Sequence, residues 1–387
     1  MSSRRGVLAG AVFLALALAM GGSAMSAPIP ELPKDLHIVD TAGAQIAPPS
    51  LQVAGPPLIV SNSPEVIPYA YPAALYRTLT ASDHFRVFYH HQNGAGETLK
   101  IGIAITNPSK ATRPIEVYVR KNSQLLPKQH KRTVDFSPRI AGERALQYWS
   151  ISPSKEAYLC TLAPGKTYYI LQDVPNGATT TGMHDFGVRN AKAGVYVTAV
   201  TCTSAPPDPT VLHILTPDRL NDGWYRRGVF PHSDRMGCIE CDASRVSWLD
   251  IAGPEYGRHA RPMKNETEAA TDDPDGRNPG NYGVVYSFHV VLKNPTSEPL
   301  KVRCLLNAAG GASSSLVTVN GAFAASGRAL SAYDSWVCRE VTIAPNKTSD
   351  FMLDFSLPGG SNGAHRLYFW PEDKRMASTT KTLNIQL

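Results

Sequence analysis

Nothing in these 387 residues spells out a G-x-S-x-G elbow, an H-E-x-x-H pair, a phosphate-binding loop or a G-x-G-x-x-G dinucleotide fingerprint. Their absence argues against the commonest hydrolytic, nucleotide-dependent and hydride-transfer chemistries, although catalytic groups need only converge in space. Charge of one sign is also scarce. The formal net charge is +6, two units of it from Arg4 and Arg5 near the start, too mild a balance to imply nucleic acid. Beyond the first 25 residues no apolar run approaches the length of a membrane span. Helical signals are sparse too, and AGERALQYW at 141–149 is the best candidate for one short helix.

What is present begins with MSSRRGVLAGAVFLALALAMGGSAMSA, a basic start, an apolar run and small residues, which reads as a secretory signal peptide cut after Ala24. Export to the periplasm, the extracellular space or the cell envelope follows. Composition then favours strands and turns, with 30 Gly, 31 Pro and many β-branched and tyrosine residues. Six cysteines, an even number in an exported chain, suggest disulfides. The order of the segments pairs Cys160 with Cys202, Cys304 with Cys338, and Cys238 with Cys241.

Two stretches organise the rest. LKIGIAITNPSKATRPIEVYV at 99–119 and YSFHVVLKNPTSEPLKVRCLL at 286–306 each carry an alternating strand into an Asn-Pro corner and out into a second alternating strand. LAPGKTYYIL at 162–171 and IAPNKTSDFML at 343–353 repeat an Ala-Pro turn in the same order. The fold expected is all-β, with two immunoglobulin-like β-sandwich domains from an internal duplication. The divisions are a signal peptide (1–24), an extended Pro-rich arm lying along the first domain (25–60), sandwich 1 (61–204), a connecting region (205–280) and sandwich 2 (281–387). Residues 120–144, with seven Lys or Arg against Asp135 and Glu143, read as a long exposed basic loop. Lys128, Lys131 and Arg132 are its candidates for holding an anionic glycan or a lipid head group.

Other residues carry metal-like patterns. Cys238-Ile-Glu-Cys241, flanked by His232, has the spacing of a small disulfide loop, a redox pair or half a metal site. The neighbours His90 and His91 end a strand, and alternation sends them to opposite faces. TDDPDGRNPGN at 271–281 evokes a calcium loop through Asp273 and Asp275 but lacks the acidic closing ligand. Structural roles, as a disulfide, core histidines and a solvated turn, are the default for all three, and no cofactor is called for.

SNSPEVI (61–67), FRVFYHH (85–91), IGIAITNP (101–108) and GNYGVVYSFHVVLKNPTSEP (280–299) together resemble a family of exported bacterial proteins that share a domain of unknown function. The similarity runs in order over residues 61–306, and the Gly-Asn-Tyr-Gly segment leading into the Asn-Pro corner is its most specific part. It implies no activity and no catalytic residue. The function expected is therefore a non-enzymatic exported or envelope protein that binds a surface glycan, lipid or protein partner. A metal-binding protein or metal-dependent enzyme is the first alternative. A subunit of a surface assembly, with its arm added to a neighbour's sheet edge, is the second.

Overall fold

The computed structural model describes residues 36–38, 43–203, 208–218, 225–252, 263–326 and 330–372; the expected signal peptide lies outside them. The fold is mostly β, as expected, with its sheets arranged as two β-sandwiches.

The first sandwich has eight principal strands: β1 (Ala73–Thr80), β2 (His84–Asn93), β3 (Leu99–Thr106), β4 (Ile115–Asn122), β5 (Ala157–Leu162), β6 (Thr167–Val174), β7 (Thr179–Arg189) and β8 (Val195–Cys202). One sheet runs β6-β3-β8-β1 and the other β5-β4-β7-β2, all antiparallel. That order is a double Greek key, the jelly-roll arrangement, which refines the expected sandwich. Asn107-Pro108 makes the corner: Pro108 ends the β3 ladder, and the Asn107 amide donates to the carbonyls of Arg113 (3.0 Å) and Leu162 (2.9 Å), turning the chain into the other sheet. Ile101, Ile103 and Ile105 of β3 face Val117 and Val119 of β4 in a core shared with Phe85, Tyr89 and Phe186.

The second sandwich contains β9 (Asp234–Asp242), β10 (Ser247–Ile251), β11 (Val285–Lys293), β12 (Leu300–Asn307), β13 (Leu316–Val319), β14 (Ala322–Ala325), β15 (Asp334–Ile343), β16 (Thr348–Phe355) and β17 (His365–Pro371). The two Asn-Pro corners occupy matching places. β11 and β12 take the positions of β3 and β4, while β15 and β16, joined by the second Ala-Pro turn, take those of β5 and β6. Asn294 repeats the corner bonds, to the carbonyls of Glu298 (2.8 Å) and Ile343 (3.0 Å). No described strand stands where β8 does, and β9 closes the gap by pairing directly with β11. The pairing is parallel because β1, separated from β3 by one antiparallel strand, already runs in the direction of β3. Phe288 and Ile103, each on the inward face of its alternating strand, are 0% and 1% exposed.

Three expectations change. The arm pairs with the second sandwich and not the first: Leu36–His37 joins β15, Ala44–Gln45 joins β10, and Gln52–Ala54 joins β9. The sheet edges open to it are there, while the first sandwich takes only Leu58–Ser61, beside β2. Residues 205–280, expected as a connection, supply Arg227–Phe230 to the first sandwich and both β9 and β10 to the second. Finally, the basic loop is largely helical: α1 spans Pro127–Arg132 and α2 spans Pro138–Ile151. α2 contains the short helix expected at 141–149; Ser137-Pro138 is its start, and it buries Ala141, Ala145, Leu146 and Trp149. Gly142 is needed there, since a Cβ would stand 1.9 Å from the carbonyl oxygen of Gly359 in the second sandwich.

Arg86 locks the two sandwiches together. Its guanidinium is almost fully buried and donates to Asp185 of β7 (2.7 Å), and across the interface to Asp234 (2.8 Å) and the carbonyls of Ser233 and Gly283. Trp149 of α2 lies beside it, its ring centre 4.7 Å from Arg86 and 4.2 Å from the Lys121 ammonium, and its indole N–H donates to Asp185. A buried cation with two carboxylates and a ring face holds the interface in one geometry.

Candidate binding groove

On the outer face of the sheet β5-β4-β7-β2, one row of register partners runs Tyr158, Tyr118, Gly187, His84. Strand alternation puts Glu116, Tyr118 and Arg120 outward, opposite the core residues Ile115, Val117 and Val119. Gly187 has no side chain in the middle of this row. The result is a hollow of about 390 Å³ lined by Asp83, His84, Tyr118, Glu156, Arg189 and Asn190.

The walls are polar and of both signs. Glu156, just before β5, is the centre: Arg189 donates to one of its oxygens at 3.1 Å, while His84 Nδ1 and Arg120 Nε stand 3.8 and 4.0 Å from the other. The Arg189 guanidinium also lies 4.2 Å over the Tyr118 ring and donates to its hydroxyl at 3.1 Å. Tyr118 in turn donates to Glu116 at 2.7 Å, and that carboxylate holds the phenol pKa above its ordinary value. Tyr158 meets Tyr118 edge-on with centroids 5.7 Å apart and leaves 57% of its surface exposed. The hollow thus offers donors and acceptors around a floor of bare backbone, with the exposed ring of Tyr158 next to Tyr118 outside its lining, a combination suited to a small polar ligand with apolar C–H faces. Glu156 and Gly187 could not be found without the strand register. Tyr118 could have been, from the outward half of the β4 alternation.

None of the residues singled out from sequence lines this groove, and apart from Cys304 and Cys338, whose sulfurs are neighbours, they are not brought together into a site. His90 lies buried on the outer face, its Nδ1 2.7 Å from Thr181 Oγ1. His91 points inward, with Nε2 3.0 Å from Ser61 Oγ and Nδ1 2.8 Å from the Pro64 carbonyl. Burial lowers their pKa values to about 3 and about 4. His232 is engaged with Glu268 at 2.6 Å. Cys238 and Cys241 both sit in β9, Cys238 exposed and Cys241 buried, three residues apart and so on opposite faces. Asp273 pairs with Arg227 at 2.9 Å and caps the amide of Asp275, so this acidic segment holds a turn. Among the described residues no three His, Cys, Asp or Glu side chains are gathered where they would hold a metal ion. Lys128, Lys131 and Arg132 are exposed on α1. Cys160 and Cys202 belong to different sheets, and all six cysteines are free thiols here. No described helix is long and apolar enough to cross a membrane.

No family model matches the chain, and neither does any curated protein. Solved structures with some likeness include Lac15 from a marine microbial metagenome (10% identity, 80% of this chain and 61% of that one, TM-score 0.13). Another is an anti-sigma factor domain-containing protein (9% identity, 78% and 86%, TM-score 0.15). A third is the N-terminal CBM22-1–CBM22-2 tandem domain of Paenibacillus barcinonensis Xyn10C (9% identity, 88% and 94%, TM-score 0.14). This chain therefore spans about three fifths of Lac15. Likenesses this slight carry no argument about function.

Proposed function

We propose that this is a non-enzymatic binding protein of the cell envelope or exterior that takes a glycan in the groove over Gly187. The observation that carries the reading is the side-chain gap between Tyr118 and His84 on an otherwise continuous sheet face, walled by Glu156 and Arg189. Sugar hydroxyls bridge a carboxylate and a guanidinium well, and a pyranose C–H face suits the exposed ring of Tyr158. The mixed charge of the walls favours a neutral sugar over a polyanion. Export rests on the N-terminal sequence pattern alone.

Titration calorimetry against a panel of envelope polysaccharides tests this directly. A Cβ at position 187 would come within 3.1 Å of Glu156 Oε1 and 3.2 Å of His84 Nδ1, so Gly187→Val raises the floor between these two walls and displaces a ligand seated there. Binding by the native chain that disappears in a folded Gly187→Val variant supports the groove; equal binding by both removes it. A second reading, an anionic glycan or lipid head group on Lys128, Lys131 and Arg132, is favoured by their joint exposure on α1. Its binding would weaken steeply with salt and survive Gly187→Val.

A further inference from the structure

The sulfurs of Cys304 and Cys338 lie 3.5 Å apart in the second sandwich. An irregularity in the register puts them there. Cys304 pairs with Arg339 and Leu305 with Val337, so Cys338 is the extra residue of a β-bulge and faces Cys304 together with Arg339. In an unbroken ladder Cys338 would stand across from Leu305, beside the wrong neighbour. Its S–H group instead points at the carbonyl (3.3 Å) and sulfur of Cys304. Among the described residues no third ligand-type side chain completes a metal site around the pair.

We propose that Cys304 and Cys338 are a redox-responsive pair that closes to a disulfide by exchange with an external disulfide and reopens with a dithiol. Cys338 is the entry point, being part-exposed, whereas Cys304 is 1% exposed and its burial holds the thiol well above its ordinary pKa. The Cys338 thiolate attacks one sulfur of the external disulfide and releases the other as a thiol. Cys304 then attacks the mixed disulfide at Cys338 Sγ, giving up its proton and displacing the second external thiol. The protein loses two S–H bonds and gains one S–S bond, and the external disulfide is reduced to two thiols. A disulfide sulfur–sulfur bond is about 2.0 Å long, so the pair has to close by about 1.5 Å. The bond would tie β12 to β15 and enclose the β13-β14 hairpin.

The purified full chain is treated with oxidised glutathione, alkylated after denaturation and mapped by peptide mass. The expected result is one cross-linked peptide joining Cys304 to Cys338, with Cys160, Cys202, Cys238 and Cys241 alkylated. Dithiothreitol should remove the link, and the oxidised chain should melt several degrees higher than the reduced one. Cys338→Ser should abolish both effects and Cys241→Ser neither. Absence of the link after oxidation, or a link that joins Cys304 to Cys241, overturns the proposal; if Cys338→Ser does not fold, the native peptide map decides alone.

Discussion

The two sandwiches put the same sheet to different uses. In the first, the outer row at β7 has Gly187 between Tyr118 and His84 and leaves a hollow. Counting from Pro114 and Pro299, which close the two corners, Tyr118 corresponds to Arg303, and Gly187 to Trp370, which pairs with Arg303 in β17. A tryptophan stands where the first sandwich has none. Around it, Trp248, Tyr368 and Leu305 form a small second core on that outer face, joined by Ile38 of the arm. Arg303 is tied to Glu340 and Glu372, and Arg366 to Asp250. Similar frameworks thus carry an open polar hollow in one sandwich and a face covered by aromatic and aliphatic side chains in the other, with Gly187 and Trp370 at matching places.

The largest way to separate the sandwiches is acid. His90, His91 and His184 in the first are buried with pKa values lowered to about 3, 4 and 3, whereas the second has only His365, lowered to about 4, among its described fully buried histidines. Burial is the main cause in each, and both ring nitrogens of His184 lack a partner. A histidine pKa below its unfolded value of about 6.5 contributes stability that is complete above that value and is lost as pH falls. Each group then costs about 1.4 kcal/mol per pH unit. Hydrogen exchange between pH 6.5 and 4.5 should therefore show the first sandwich loosening before the second. Simultaneous loss would mean the interface overrides the difference.

Next in size is the interface itself. Arg86→Met leaves Asp185 and Asp234 without their buried cation and should cost about 3 to 5 kcal/mol. Urea unfolding would then split into two transitions, one for each sandwich; a single unshifted transition would show the lock to be idle. Glu266 supplies the opposite pH sign in the second sandwich. Burial raises its pKa to about 7 although it accepts from the amides of Ala252 and Met263 and from the Tyr286 hydroxyl. With the folded value above the unfolded one, its contribution is complete below about pH 4.5 and is lost as pH rises through 7. On the order of 3 kcal/mol is at stake, and Glu266→Gln should flatten the denaturation midpoint between pH 5 and 8.

The smallest effects on stability sharpen the comparison most. Trp370→Gly carves the hollow into the second sandwich and should cost about 2 to 3 kcal/mol of stability without creating sugar binding, since Glu156 and Arg189 have no counterparts there. Gly187→Val should change stability by less than about 1 kcal/mol, with the β-branched side chain suiting a strand, and yet eliminate the calorimetric signal. A glycan retained by Gly187→Val and gained by Trp370→Gly would invert the assignment.

Much of the fold was legible because proline and alternation act locally. Ile103, Val117, Phe288 and Val302 point inward as their parity demands, and each Asn-Pro pair turns the chain between sheets through one asparagine amide. What escaped depends on pairing across the sequence. Glu156 reaches Arg189 and His84 only through the register of three strands, and α2, whose helix signal at 141–149 is local, takes its place by packing on β7 of the first sandwich and against Gly359 of the second. The patterns that looked most chemical, His90-His91 and Cys238-x-x-Cys241, were dispersed by the same alternation that made the core readable. The alignment of Cys338 with Cys304 depends on an inserted residue that no periodicity encodes.

The arm has a consequence for synthesis. His37 is bound to Asp334, 297 residues further along the chain, and its neighbours close both edges of a sheet whose central strands include β17, the last one described. On the ribosome, the eight strands of the first jelly roll are complete once β8 emerges, while the segment that finishes the other must wait, unpaired, until β15 and β10 are in place beside β17. Whatever engages that waiting segment early, a chaperone or a translocation channel, governs when the second half can form.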